Sequence, residues 1–142
     1  MKVKFSIIVT LIFSTVLCLI PNEKAEAAMG KWQNVEKGCK VRIWTDATTY
    51  TKRATSIDWY AETNGRCGTL KYDARIFIRG ERYVWYHNLS GSFAKRTPTK
   101  KFLLSKVRRW IESGEDVVVE LGVHNRAKGI SGVLDSNRMI VY

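Results

Sequence analysis

Proline is scarce in this 142-residue chain: only Pro21 and Pro98 occur, so little in the backbone forbids long strands. Cysteine is scarce too, at three, with no CxxC pair and no HxxxH spacing to complete a four-ligand zinc site. Histidine is limited to His87 and His124. No GxSxG elbow, HExxH helix or phosphate-cradling glycine loop is present, which removes the common signatures of hydrolases and nucleotide enzymes. Internal repeats and low-complexity segments are missing, and after Ile20 no apolar run is long enough to span a membrane. Acid is absent from the whole interval between Glu81 and Glu112.

What is there begins with a targeting signature. Lys2 and Lys4 precede the apolar run Phe5 to Ile20, Pro21 ends it, and Ala25 to Ala27 supply a small-x-small site. The expectation is a secretory signal peptide over 1–27, cleaved after Ala27, followed by one domain over 28–142. An uncleaved anchor and a lipoprotein are the rival readings; Leu17 before Cys18 disfavours lipidation. With Cys18 removed, Cys39 and Cys67 are left as a pair, and outside the cytoplasm two such thiols point to a disulfide rather than two free thiols. Removing Lys2, Lys4, Lys24, Glu23 and Glu26 leaves 21 Lys plus Arg against 11 Asp plus Glu, a balance of +10 that favours anionic partners.

Several segments alternate with period two. Cys39, Val41 and Ile43 stand against Lys40, Arg42 and Trp44, and Ile57, Trp59 and Ala61 against Asp58, Tyr60 and Glu62. Val117, Val119, Leu121 and Val123 stand against Val118, Glu120, Gly122 and His124, and Met139 to Tyr142 is again β-prone. One wet face and one dry face is the pattern of an antiparallel sheet. Turns are expected at 63–65 (TNG) and 88–91 (NLSG). Leu103, Val107, Trp110 and Ile111 recur at helical spacing, with Ser105 as the expected N-cap and Gly114 as the left-handed stop. The fold class is therefore all-β and mostly antiparallel, with about six to seven strands and one short helix. It resembles immunoglobulin-like β-sandwiches in pattern, a small β-barrel being the alternative. In that frame Cys39–Cys67 would tie the first strand to the third.

Residues 72–88 alternate aromatic and basic side chains, as a hairpin turning at Arg79 to Arg82 requires. Ile78 then faces Tyr83, and Ala74 faces His87. Ala74, Ile76, Ile78, Tyr83, Trp85 and His87 form the core side, and Arg75, Phe77, Arg79, Arg82, Val84 and Tyr86 the wet side. Arg75, Phe77, Arg79, Arg82 and Tyr86 are one candidate platform, because guanidinium grips oxyanions and aromatic faces stack on rings. The acid-free interval adds Lys95, Arg96, Lys100, Lys101, Arg108 and Arg109, the last two in a KVRR sequence expected to open the helix. These are expected to adjoin the hairpin in one basic zone.

The functional expectation is a small, basic, secreted, non-catalytic protein that binds anionic extracellular or cell-envelope polymer through this Lys/Arg-rich surface. The partner would be cell wall, acidic polysaccharide or nucleic acid. Alternatives are a module that binds a secreted protein as inhibitor, effector or antagonist of competitors, and a ribonuclease-like hydrolase using the histidines. Against the last, Glu120 and His124 share a strand face but stand roughly 13 Å apart at ~3.3 Å per residue. No cofactor or metal is expected.

Overall fold

The computed structural model describes residues 27–36, 38–79 and 88–142. The segment read as a signal peptide lies outside the described residues apart from Ala27, as do Arg82, Tyr86 and the hairpin's return from 80 to 87. Among the described residues there are eleven strands, one helical turn and one 3-10 turn. The strands are β1 (Ala28–Met29), β2 (Gln33–Asn34), β3 (Lys40–Thr45), β4 (Thr49–Tyr50), β5 (Ser56–Thr63), β6 (Leu70–Ile78), β7 (Leu89–Phe93), β8 (Lys100–Leu103), β9 (Glu115–Asn125), β10 (Ile130–Asp135) and β11 (Met139–Val141). The turn α1 (Leu104–Val107) follows β8 directly.

Two sheets result, and neither closes into a barrel. The first runs β1-β3-β5-β8, with β2 also on β3; the second runs β4-β11-β9-β6-β7, with β10 also on β9. All pairings are antiparallel except β11 with β4. The alternation anticipated for β3, β5, β6 and β9 is observed: Val41, Ile43, Ile57, Trp59, Ala61, Ala74, Ile76, Ile78, Val117, Val119, Leu121 and Val123 are buried. They meet in one core, where β-branched and aromatic side chains suit a pleated, one-sided surface. Trp59 of β5 stacks on Phe102 of β8 at 5.9 Å and meets Tyr72 of β6 edge-on at 6.1 Å, joining the two layers.

Four expectations need correction. NLSG is not a turn: Leu89 to Gly91 belong to β7, and Gly91 is there because a Cβ would sit 2.9 Å from the Tyr72 hydroxyl opposite it. Ala74 pairs with Leu89, where the hairpin reading put His87, a shift of two residues. The helix starts at Leu104 after an extended Leu103 with no side-chain cap, so Ser105 caps nothing. Lys106 and Arg108 consequently fall at its last turn and C-cap, where positive charge agrees with the peptide dipoles instead of opposing them. Gly114 does adopt φ +90°, though several residues past the helix. Finally, the Cys39–Cys67 disulfide ties the residue before β3 to the β5–β6 connection.

The β3–β4 turn is held by one carboxylate. Asp46 Oδ1 accepts from the Tyr50 hydroxyl at 2.6 Å and from the Asp58 backbone N–H at 2.9 Å. Burial first, then the Asp46 hydrogen bond and charge, push the Tyr50 phenol far above its ordinary range. The folded state therefore keeps this proton while the unfolded chain loses it above about pH 10, and stability falls as pH rises. Between pH 10 and 11.5 the wild type should lose about 1.5 kcal/mol relative to Tyr50→Phe, measured by urea unfolding at each pH. Parallel curves for the two proteins would contradict this.

Candidate functional site

Once the inner face of β3 and β5 is apolar, alternation turns Lys40, Arg42, Trp44, Asp58, Tyr60 and Glu62 outward. Register then decides which of them meet. Trp44 lies opposite Tyr60 and Arg42 opposite Glu62. The Trp44 and Tyr60 rings stack at 4.9 Å with their planes 19° apart. The chain preceding β8 continues the sheet edge beyond β5: the Thr63 N–H donates to the Lys95 carbonyl, the Thr97 N–H donates to the Ala61 carbonyl, and Arg96 bridges to Glu62. From that edge the Arg96 guanidinium reaches back over the Tyr60 ring, 3.6 Å from its centroid. Because β5 runs between β3 and this segment, Tyr60 lies between Trp44 and Arg96. A second row runs alongside: the Arg42 guanidinium sits 4.4 Å from the centroid of exposed Trp32 and forms an ion pair with Glu62.

Charge on this face is unevenly matched. Glu62 is taken by Arg42, and Asp58 by Lys101 at 3.1 Å. Among the described residues no carboxylate partners Lys40, Lys95, Arg96 or Lys100. Arg96 and Lys101 stand on the outer face, whereas Lys95 and Lys100, opposite Thr63 and Trp59, fall by alternation on the other side of the same edge segment.

The second sheet's outer face is built differently. Arg75 of β6 forms an ion pair with Glu120 of β9, and Arg138 with Asp116. Asp73 lies over Gly122, where a Cβ would come within 2.9 Å of its Oδ1. Burial, then the Glu120 charge, push the Asp135 carboxyl above the usual carboxylate range, with Arg79 pulling it back. Phe77 is half-buried between Arg75 and Arg79. A groove of about 670 Å³ crosses this face, lined among others by Asp73, Arg75, His124, Arg126 and Ser131. His124 faces Lys71 on β6 and Ser131 on β10. Among the described residues no cluster of three His, Cys, Asp or Glu side chains is placed to hold a metal ion.

The single basic zone expected from the sequence is therefore split. Arg75, Phe77 and Arg79 lie on the second sheet amid acids, while Lys95, Arg96, Lys100 and Lys101 edge the first. Arg108 joins neither face. Its guanidinium donates to the backbone carbonyls of Tyr142 (2.8 Å), Ala54 (3.1 Å) and Thr51 (2.8 Å), tying the end of α1 to the β4–β5 connection. Arg109 is exposed just beyond α1. Sequence reading put Trp44 and Tyr60 on wet faces but did not join them, and it passed over Trp32. Two outward aromatics on adjacent strands were the available signal.

Residues 25–142 match the family model described as the YqgA MG2 macroglobulin domain. A Bacillus subtilis (strain 168) protein named cell wall-binding protein YqgA is 47% identical over 136 residues, covering 92% of this chain and 92% of its own length. No solved structure matches the chain. With its two antiparallel sheets and a match over nearly all of its length, the chain belongs to the YqgA MG2 macroglobulin domain family.

Proposed function

We propose that the protein is a non-catalytic binder of anionic cell-wall polymer, exported and held at the wall by its surplus cations. The observation that carries this reading is the 47% identity, along nearly the whole length, to a relative named as cell wall-binding. The composition agrees: a net charge of +11 over the full chain, +10 without residues 1–27, draws the protein to polyanions by Coulomb attraction. Export through the N-terminal segment, with cleavage after Ala27, belongs to the same reading. The Cys39–Cys67 disulfide supports it, since such bonds persist outside the reducing cytoplasm.

Salt tests the proposal. If Lys40, Lys95, Arg96 and Lys100, the first-sheet cations named above, each neutralise one anionic group of a flexible polymer, the log–log salt slope is about −3. Affinity for isolated wall sacculi, measured by sedimentation, should then fall about 50-fold between 50 and 200 mM salt. Binding that is flat across this range, or absent at low salt, would refute it.

A further inference from the structure

We infer that the Arg96 edge of the first sheet, backed by the Tyr60–Trp44 stack, is the place where the chain grips an oxyanion of its polymer. The inference rests on the wall-binding reading and adds the site and the chemistry it recognises. A long arginine side chain loses rotamer freedom when it captures a ligand. Here that loss is largely made in advance, because the guanidinium carbon sits over the Tyr60 ring, 3.6 Å from its centroid, and Tyr60 is backed by Trp44. A stacked guanidinium still presents its N–H edge in its own plane, the geometry that takes two oxygens of a phosphate or carboxylate at once.

The neighbours favour an incoming anion. Glu62, opposite Arg96 across the bridge, already pairs with Arg42, and the same edge segment carries Lys95 and Lys100, neither with a carboxylate of its own among the described residues. No described hydrogen bond or ion pair occupies the Arg96 guanidinium. Two arginines of the other face contrast with it: Arg75 is committed to Glu120, and Arg138 to Asp116. A polymer oxyanion approaching either of these two has to compete with the carboxylate already in place, whereas at Arg96 it does not.

The oxyanion has two possible sources, a phosphodiester or a sugar carboxylate, and two probes separate them. Full-length secreted protein is titrated calorimetrically with poly(glycerol phosphate), whose only charges are phosphodiesters, and with polygalacturonate, whose only charges are carboxylates. For the preferred polymer, Arg96→Ala should weaken binding about 10-fold, the effect of losing one charge-assisted bidentate contact. Arg96→Lys keeps the charge and so the salt slope, but should still lose about 5-fold because it lacks the fork. Tyr60→Leu should lose about 3-fold through the stacking alone. Arg126→Ala removes the same charge from the opposite side and should change affinity less than about 2-fold. The polymer that shows this pattern identifies the oxyanion. Equal losses for Arg96→Ala and Arg126→Ala, or wild-type binding by Arg96→Ala, would overturn the inference and leave wall binding standing. Failure of the wild type to bind sacculi or either polymer would remove both.

Discussion

Trp59→Ala should destabilise the protein by about 3–5 kcal/mol, the range for truncating a fully buried indole. Trp59 is 0% exposed on the inner face of β5, stacks on Phe102 within its own sheet and meets Tyr72 of the opposite sheet edge-on. Tyr72 passes the contact on to Phe93 at 5.7 Å, so one truncation opens a void beside Phe102 and Tyr72 and loosens the ring behind them. Trp59→Phe provides a sharper comparison. The indole Nε1 is buried without an acceptor among the described residues, a deficit of about 1–3 kcal/mol that phenylalanine removes while surrendering some packing. The two changes oppose each other, and Trp59→Phe should cost less than about 2 kcal/mol. Urea midpoints at constant slope measure both. A loss below 1 kcal/mol for Trp59→Ala would mean that the sheets close over the void and that this cluster is not what joins them.

The same residue shows what was legible beforehand. Trp59 sits in an eight-residue strand whose alternation was visible in the sequence, as it was for β3, β6 and β9, because each is long enough for period two to repeat. Two-residue strands such as β1, β2 and β4 have no period to read; they are defined by the pairing of their backbone with β3 or β11. β7 was hidden by chemistry, since Gly91 answers to the Tyr72 ring across the ladder and not to a local turn. The helix was read too long because Trp110 and Leu103 match a helical stripe in spacing, yet both are exposed; Leu104 and Val107 are the buried pair. At the candidate site the wet faces were predictable residue by residue. Which wet residues touch was not, because Trp44 against Tyr60 is a fact of register and Arg96 over Tyr60 a fact of tertiary placement. Charge counting along the chain likewise grouped Arg108 with Arg96, although one is consumed by backbone carbonyls and the other is presented outward.

Removing the Cys39–Cys67 disulfide, by reduction or by the double substitution Cys39→Ala with Cys67→Ala, should cost about 3.6 kcal/mol on the chain-entropy model. The bond closes a loop of 29 residues that contains β3, β4 and β5, so both strands carrying the Trp44–Tyr60 stack lie within it. Its native surroundings are independently fastened. Asn64 donates to the Gly38 carbonyl at 2.9 Å and accepts from the Lys40 and Arg66 backbone N–H groups, while Asn125 of β9 donates to the Cys67 carbonyl. These hydrogen bonds keep the folded geometry without the covalent link, so the loss should come from greater freedom of the unfolded chain. Two readouts distinguish this from local unravelling. The urea midpoint should drop while polymer affinity at low denaturant stays within about 2-fold of wild type, because the Arg96 edge pairs with β5 through its own backbone hydrogen bonds. If affinity instead collapses together with stability, the disulfide is shaping the binding face itself, and the four hydrogen bonds around Asn64 and Asn125 are too weak to hold the sandwich's end alone.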